Sequence, residues 1–399
     1  MTEESWELGL HCLRGENWVR ISLLVSDLSR NCVLRTYVFA RILERHYQVE
    51  VIGPDFGRGI WPPCDTGELT YKIVPGKHSL SSPLSWRKML ALISGDVIYA
   101  FSPRILSYGT SLLKKRSTGL PIVLDIHERQ TAFAEDCYPR LIPRIISALL
   151  TPGYYNNYFY ALAMERLIKY ADQITAGSSY LAQRYGGVRV PHGRDVTLFD
   201  PANYDRESLR KEWGYDSEKL IVFFGSPAPY KGIEDLVEAV RLLGRPDLKV
   251  MLVGADRSWP YVRNLIGKLA STGGDFLRIE GMQPFSDVPK FLSMADLVVL
   301  PQRPSPVTMA QIPAKILDAM AMAKPIISTA TSDIPEILEG CGIVVEPGNV
   351  EQIAEKIEYV LEHTKEAAEM GRRAREKCAR EYSWEAVEEI LVKVFERYR

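Results

Sequence analysis

Short apolar runs alternate with longer segments of helical periodicity along most of the chain. The candidate strands of the first half are residues 21–26, 49–53, 96–101, 121–126 and 174–178. Those of the second half are residues 220–226, 249–255, 276–281, 296–301, 325–329 and 342–345. Helical segments lie between them, among them 33–47, 233–243 and 284–295. This alternation predicts an α/β fold in which helices cover parallel sheets.

The two series of strands indicate two domains. A length of 399 residues suits two ordinary cores. We predict a Rossmann-like domain over residues 1–195, a second one over 196–382, and a final helix in 383–399 that packs back on the first domain. Open α/β sheets bind ligands beyond the carboxyl ends of their strands, so the cleft between two such domains can hold a ligand from each side.

Charge changes this picture little. The formal net charge is −1. Residues 1–190 carry 22 Lys and Arg against 17 Asp and Glu, and the remainder carries 27 against 33. This asymmetry falls short of the basic stripe of a nucleic-acid binder, so we expect no nucleic-acid partner.

Cysteine usage and the first residues bear on the compartment. The six cysteines stand without paired or metal-like spacing. We interpret them as reduced thiols of a cytoplasmic protein. The first ten residues, MTEESWELGL, lack the pattern of a signal peptide, and no run of about eighteen apolar residues occurs.

The segment FFGSPAPYKGIEDLVEA combines a strand, a loop rich in Gly and Pro, and the start of a helix. Gly225, Ser226 and Lys231 lie in its loop. Backbone N–H groups at a helix start favour an anion, and a lysine adds a positive charge, so the pattern predicts a phosphate site. The alternative is an ordinary strand-to-helix turn with a solvated lysine.

The same segment resembles the donor-binding loop of retaining GT-B glycosyltransferases of the family-4 kind (glycosyl transferases group 1). The resemblance continues in order through VPHGRDVTLFDP, MLVGADR, EGMQPFSDVPKFLSMADLVVLPQ, KILDAMAMAKPIIST and YSWEAV, and it covers residues 190–390. In the first half, PIVLDIHERQ is similar to one of the family's middle strands. The resemblance implies two Rossmann-like domains in the GT-B arrangement, with the acceptor on the first and the nucleotide sugar on the second.

The implied reaction moves a hexose-like sugar from a nucleotide-diphosphate sugar to a glycan, lipid or small-molecule acceptor, with retention of configuration. The resemblance also implies a front-face mechanism in which the leaving phosphate helps to deprotonate the acceptor, with no cofactor and no metal. Gly281 and Met282 are expected near the base of the nucleotide.

The family's Glu-x7-Glu motif is incomplete in this chain. Asp318 aligns with the second glutamate, which implies hydrogen bonds to the ribose. Ala310 replaces the first glutamate, and Gln311 is a candidate substitute. Ser226 stands where relatives carry a basic residue, and Lys315 is a candidate for the missing charge. Lys315 alternatively stabilises Asp318 or is solvated.

Catalytic residues are expected from both halves. The resemblance implies that Lys231 stabilises the diphosphate and that His127, at a strand end, contacts the transferred sugar. The alternative for His127 is a loop cap. Glu128 is a candidate acceptor contact, and Asp125 is interpreted as a folding residue. Asn31 lies in a first loop that lacks the Gly-Gly turn of many relatives.

Residues 137–167 are rich in Tyr and Leu, and Arg140 and Arg144 stand ahead of their apolar run. Three interpretations stay open: an acceptor pocket, a peripheral contact with the inner face of the membrane, and an insertion packed into the first domain. The incomplete motif also leaves open a catalytically silent GT-B subunit that binds or activates, and a nucleotide-sugar epimerase or hydrolase.

Overall fold

The computed structural model describes residues 18–76, 83–151, 157–272 and 274–399. Cys12 and the N-terminal segment without a leader pattern lie outside these residues. The strands are β1 (Arg20–Leu24), β2 (Gln48–Asp55), β3 (Tyr71–Pro75), β4 (Val97–Phe101), β5 (Ile122–Ile126), β6 (Gln173–Ala176), β7 (Val188–Arg189), β8 (Lys219–Phe224), β9 (Leu248–Val253), β10 (Leu277–Glu280), β11 (Val298–Leu300), β12 (Ile326–Thr329) and β13 (Ile343–Val345).

The helices before β8 are α1 (Val33–Leu43), α2 (Pro83–Leu92), α3 (Thr110–Thr118), α4 (Gln130–Cys137), α5 (Leu141–Leu150), α6 (Tyr158–Leu167), α7 (Ser179–Tyr185) and α8 (Arg206–Glu212). Those after β8 are α9 (Ile233–Leu243), α10 (Pro260–Thr272), α11 (Val288–Met294), α12 (Pro306–Ala310), α13 (Ala314–Ala321), α14 (Ile334–Leu338), α15 (Val350–Glu362), α16 (Thr364–Glu381) and α17 (Trp384–Phe395). Among the residues described, no helix has the length and apolarity needed to cross a bilayer.

The first half forms one parallel sheet with the strand order β3-β2-β1-β4-β5-β6-β7. Successive residues of its central strands belong to different cores. Tyr99 packs in the cluster on one face, and Ala100 packs in the cluster on the other. Because both faces are covered by helices, these strands are almost wholly apolar, as their sequences suggested.

The second half contains two parallel sheets of three strands, β10-β9-β8 and β11-β12-β13. A single bridge between Ile221 and Leu297 places β8 beside β11. One hydrophobic cluster runs through both sheets and their helices. The carboxyl ends of these strands therefore share one edge, where ligands of such sheets bind.

The last helix leaves the second half. In α17, Val387, Leu391 and Phe395 join the cluster that contains α1 and β4. The ring of Phe395 lies 5.1 Å from that of Tyr99. The chain crosses between the halves a second time just before α17, and a bridge between Arg194 and Ser383 joins the two crossings.

Two strands were missed by the sequence analysis, and two helices are shorter than predicted. The helix predicted over 33–47 ends at Leu43, where a turn begins. The strand β3 lies at the sheet edge, and β7 has only two residues, so neither carries a long apolar run. The helix predicted over 284–295 begins at Val288, because a short 3-10 turn over Phe285–Asp287 precedes it.

Candidate active site

Gly225 ends β8 and turns the chain away from the sheet. Its φ of +119° favours glycine, and a Cβ at this position would lie 2.1 Å from Cε of Lys315. Gly254, at the end of β9, packs against Gly225 with a φ of +104°. Glycine at position 225 therefore lets the Lys315 side chain lie directly on the backbone of the loop, and glycine at position 254 lets the ends of β8 and β9 pack closely.

Lys231 lies further along the same loop, in a 3-10 turn over Pro229–Lys231. Gly232 follows with a φ of +65°, and a Cβ there would lie 1.9 Å from the carbonyl oxygen of Pro301. The turn is thereby fixed against the end of β11. The Lys231 Nζ donates a hydrogen bond of 3.0 Å to Oε1 of Gln302, a neutral partner.

The two lysines influence each other. Burial lowers the pKa of Lys231 well below its usual value, and the nearby charge of Lys315 lowers it further. Burial likewise lowers the pKa of Lys315, whereas Asp318 opposes that change. Both side chains remain partly exposed. Two amines in one poorly solvated site gain stability when an anion binds beside them.

Asp318 of α13 forms a buried ion pair with Arg194. Its carboxylate accepts a hydrogen bond from Nε of Arg194, and both side chains are buried. Arg194 also donates to the carbonyl oxygen of Ala314, 3.1 Å away. Burial nevertheless raises the pKa of Asp318. The predicted ribose contact would therefore use a carboxylate that already pairs with Arg194 of the linker, residues 190–205 between β7 and α8.

Ala310 faces the first half of the molecule. It ends α12, is buried, and packs in the cluster that covers one face of the first sheet. The carbonyl oxygen of Ala310 accepts a hydrogen bond of 3.0 Å from Oγ of Ser178. A glutamate at position 310 would place its carboxylate among these apolar side chains, which is unfavourable without a partner. The neighbouring Gln311 is partly exposed.

The remaining predicted donor residues are exposed at the same edge. Ser226 follows Gly225, and Gly281 and Met282 follow β10. The amide of Gly254 donates to the carbonyl oxygen of Gly281 over 3.0 Å, so the ends of β9 and β10 are tied together. These residues thus lie near the Gly225 loop, against which Lys315 of α13 packs.

In the first half, Asp125 organises the end of β5. Arg35 of α1 donates two hydrogen bonds to its carboxylate, each of 2.9 Å. Thr175 of β6 donates a third, of 2.8 Å. Burial opposes ionisation, but Arg35 and His127 hold the pKa of Asp125 well below its usual range. The carboxylate is therefore ionised and held rigidly.

His127 is oriented by this carboxylate. Its Nδ1 lies 2.8 Å from Oδ2 of Asp125, so a proton assigned to Nδ1 leaves Nε2 free to accept. His192 of the linker lies beside it, with ring centroids 6.4 Å apart. Burial, followed by the charge of Arg35, lowers the pKa of His192 well below its usual value, which favours a neutral ring.

Glu128, a predicted acceptor contact, is engaged within the first domain. Nη2 of Arg104 lies 2.6 Å from its Oε1, and the amide of Gln130 donates to the same oxygen over 2.9 Å. Burial opposes ionisation, but Arg104 and then His127 lower the pKa of Glu128. Glu128 follows His127 in the sequence, so this ion pair places charged groups beside the histidine.

Asn31 is exposed in the loop after β1. No residue from 27 to 32 has a positive φ. The loop is built instead around Asp27, whose carboxylate accepts from the amide of Ser29 over 2.9 Å. An Asx turn therefore replaces the Gly-Gly turn that many relatives have.

Comparison with known proteins identifies one part of the second half. Residues 218–363 match the family of glycosyl transferases group 1. This part of the chain is a group 1 glycosyltransferase domain. It holds Gly225, Lys231, Lys315 and Asp318, and the predicted resemblance is confirmed for it.

Curated relatives of the group 1 domain are distant. A GDP-mannose-dependent monoacylated α-(1-6)-phosphatidylinositol monomannoside mannosyltransferase of Corynebacterium glutamicum is 26% identical over 240 residues, which are 56% of this chain and 62% of that protein. The α-D-kanosaminyltransferase of Streptomyces kanamyceticus is 27% identical over 194 residues, 48% of each chain. The matches span about half to three fifths of these relatives.

Solved structures extend the likeness to the whole fold. Anabaena Alr3699/HepE, in complex with UDP and glucose, superposes with a TM-score of 0.75 over 95% of this chain and 99% of its own, at 17% identity. Sucrose-phosphate synthase from Thermosynechococcus elongatus gives 0.72 over 95% and 98%, also at 17% identity. The GT-B fold predicted from the sequence is confirmed.

Three arginines were missed by the sequence analysis: Arg35, Arg104 and Arg194. Each pairs with a carboxylate that the analysis had considered, and each is distant from that partner in the sequence. The carboxylates themselves could have predicted these arginines, because a buried Asp or Glu between apolar residues requires a charged or hydrogen-bonding partner.

Metal ligation can be examined only for the residues that the structure describes. Their His, Cys, Asp and Glu side chains form no group of three that could hold a metal ion. The five cysteines among them are free thiols: Cys32, Cys64, Cys137, Cys341 and Cys378. Metal independence of the group 1 domain stays a prediction.

Proposed function

We propose that the protein transfers a sugar from a nucleotide-diphosphate sugar to an acceptor, with retention of anomeric configuration. The observation that carries this proposal is the pairing of Lys315, which packs on the backbone of Gly225, with Lys231, whose ammonium group is close enough to feel the charge of Lys315. Two neighbouring ammonium groups at a glycine loop suit a diphosphate, which carries charge on both phosphates. The group 1 family match supports the same reaction class.

In this proposal the donor lies on the second domain. The diphosphate contacts Lys231, Lys315 and the amides that follow Gly225, and the nucleoside extends towards Gly281 and Met282. Charge on the leaving diphosphate grows as the glycosidic bond breaks, so fixed cations in a poorly solvated loop lower the barrier. No cofactor or metal is assigned to this step.

The sugar extends towards the first domain. With Nδ1 of His127 held by Asp125, Nε2 is left to accept a hydrogen bond from a sugar hydroxyl. The acceptor enters from the side of Glu128 and Arg104, and the leaving phosphate takes its proton. We further propose that the protein works in the cytoplasm, at the inner face of a membrane, without a nucleic-acid partner.

A second candidate function is a catalytically silent GT-B subunit. It is favoured by the placement of Ala310, which packs against the first domain where relatives carry the first glutamate of their motif. A silent subunit would bind the nucleotide sugar through the same lysines, so binding alone does not separate the two. Measuring turnover separates an enzyme from a silent subunit. Analysis of the products would also reveal an epimerase or a hydrolase.

The first experiment measures thermal stability against a panel of nucleoside diphosphates and nucleotide sugars. A ligand at a hundred times its Kd should stabilise the native state by about 2.7 kcal/mol. Lys231→Ala should remove the shift, whereas Lys211→Ala, on an exposed part of α8, should keep it. Absence of a shift with every nucleotide in the wild-type protein contradicts the donor site.

The second experiment tests transfer. The protein is incubated with the nucleotide sugar that shifts its melting temperature and with candidate acceptors. Mass spectrometry then detects the product, and proton NMR gives its anomeric configuration. An inverted product contradicts retention. Binding without product for any acceptor, together with stimulation of another enzyme, supports the silent subunit.

A further inference from the structure

The helix α5 presents its apolar side to solvent. Five large aliphatic side chains lie on this surface, which we call the α5 face. Their exposed fractions are 57% for Leu141, 71% for Ile142, 51% for Ile146, 64% for Leu149 and 78% for Leu150. Contiguous apolar surface of this kind on a folded domain marks an interaction site.

The polar side of α5 holds the helix in this orientation. Arg144 points towards the domain, where it donates to the carbonyl oxygens of Tyr138 and Pro139, 3.0 and 3.1 Å away. Its guanidinium also lies over the ring of Tyr158, 5.2 Å from the centroid. At the other end, the buried amide of Asn157 donates to the carbonyl oxygen of Ala148 over 2.6 Å. Both ends are fixed, so the exposed side chains are part of a defined surface.

The unpaired charge beside the α5 face is positive, because Glu135, which precedes this segment, pairs with Arg129 and lies 4.0 Å from Arg144. Residues 137–164 contain two arginines and no Asp or Glu. Arg144 is turned inward, whereas Arg140, just before the helix, is exposed. A surface of apolar side chains bordered by an exposed cation complements an anionic lipid headgroup layer over a hydrocarbon interior.

A second copy of the chain fits this surface less well. A two-fold contact brings the same patch of both copies together, so Arg140 would approach its symmetry mate. Residues 137–164 offer no carboxylate to separate the two charges. Protein interfaces also include hydrogen bonds across the contact, and aliphatic side chains offer none. A bilayer requires no such hydrogen bonds from the side chains that insert into it.

We propose that the α5 face docks the protein on an anionic membrane surface, with its aliphatic side chains at the boundary between headgroups and acyl chains. This proposal identifies the surface that makes the membrane contact proposed above. Its test is independent of the transfer reaction, because vesicle binding and nucleotide binding are measured separately.

The docked face adjoins the acceptor side of the cleft. A cavity of about 440 Å³ lies between α4, α5 and α6, and Arg104, Gln130, Phe133 and Tyr160 line it. Arg104 and Gln130 are the residues that hold Glu128. Asp136 of α4 accepts a hydrogen bond of 2.9 Å from Ser305 of the group 1 domain. An amphipathic acceptor in the membrane would therefore meet the enzyme at the wall of its cleft.

The test is co-sedimentation of the full chain with vesicles of phosphatidylglycerol and phosphatidylcholine in equal parts. The wild-type protein should sediment with these vesicles. We expect the affinity for the vesicles to fall at least about tenfold in the triple variant Ile142→Gln, Leu149→Gln, Leu150→Gln, because it removes three of the inserted side chains. Arg140→Gln should weaken binding about fivefold on these vesicles.

Leu242→Gln is the matched control for Ile142→Gln, because Leu242 is a 52% exposed aliphatic residue on α9 of the other domain. It should bind vesicles like the wild-type protein. Circular dichroism and the nucleotide-induced thermal shift should be unchanged in every variant. Wild-type protein that stays in solution with anionic vesicles overturns the proposal, as does a triple variant that binds normally. A wild-type dimer that becomes monomeric in the triple variant would assign the face to a second copy.

Discussion

Two buried arginine-aspartate pairs lie on opposite sides of the cleft and differ in how completely the carboxylate is satisfied. Asp125 accepts two hydrogen bonds from Arg35, one from Thr175, and contacts His127. Asp318 accepts one, from Arg194. Accordingly, the pKa of Asp125 is lowered and that of Asp318 is raised, although burial acts in the same direction on both.

The comparison separates two uses of a buried charge. Around Asp125, hydrogen bonds outweigh desolvation and the network is rigid, which suits a residue that orients His127. Around Asp318, desolvation dominates, so the carboxylate is poorly stabilised before a ligand arrives. A ribose hydroxyl could supply hydrogen bonds that the protein does not.

Asp125→Asn should have the largest effect. The substitution leaves the guanidinium of Arg35 buried without a counter-charge, and we expect the free energy of unfolding to fall by about 3–5 kcal/mol. Urea denaturation followed by circular dichroism measures it. Asp216→Asn, at an exposed position, should change stability by less than about 0.5 kcal/mol. A loss for Asp125→Asn as small as that of the control would contradict the role of the network.

Asp318→Asn should cost less, about 1–3 kcal/mol, because this carboxylate accepts one hydrogen bond, from Arg194, and burial already disfavours its ionised form. The same denaturation experiment measures it. A nucleotide-induced shift should also shrink in this variant if the carboxylate contacts the ribose. An unfolding free energy that falls further than in Asp125→Asn would reverse the order that the hydrogen bonds indicate.

The acid dependence of stability should have opposite signs at the two sites. Below about pH 4 the unfolded chain protonates Asp125 while the folded protein does not, so its contribution is lost by up to about 1.4 kcal/mol per pH unit. Just above pH 4 the folded protein protonates Asp318 first, so stability rises as the pH falls.

Denaturation curves between pH 3 and 6 test both signs. The acid loss should flatten in Asp125→Asn, and the rise above pH 4 should disappear in Asp318→Asn. Parallel curves for the wild-type protein and both variants would show that neither carboxylate changes its pKa on folding.

Local patterns predicted the second domain well. Gly225, Lys231 and the following helix lie within one short stretch, so the strand, the turn and the helix could be predicted from neighbouring residues. Lys315 was only a candidate for the missing charge, because its contact with Gly225 depends on how α13 packs beside β8. Ion pairs such as Arg35 with Asp125 join residues 90 apart and have no local signature.

The region from 137 to 167 shows the limit of pattern reading. Its apolar residues suggested three different surroundings, and the sequence does not say which side of a helix faces the domain. Arg144 settles that orientation through its hydrogen bonds to Tyr138 and Pro139. Orientation is a property of the folded contacts rather than of the periodicity.

The return of α17 to the first domain constrains synthesis on the ribosome. The core around Tyr99 and Phe101 includes Leu391 and Phe395, which are translated after the whole group 1 domain. The first domain therefore cannot complete its core when its own residues emerge, whereas the second domain can pack as soon as α16 is made. In the order of translation, the N-terminal half begins first and is finished last.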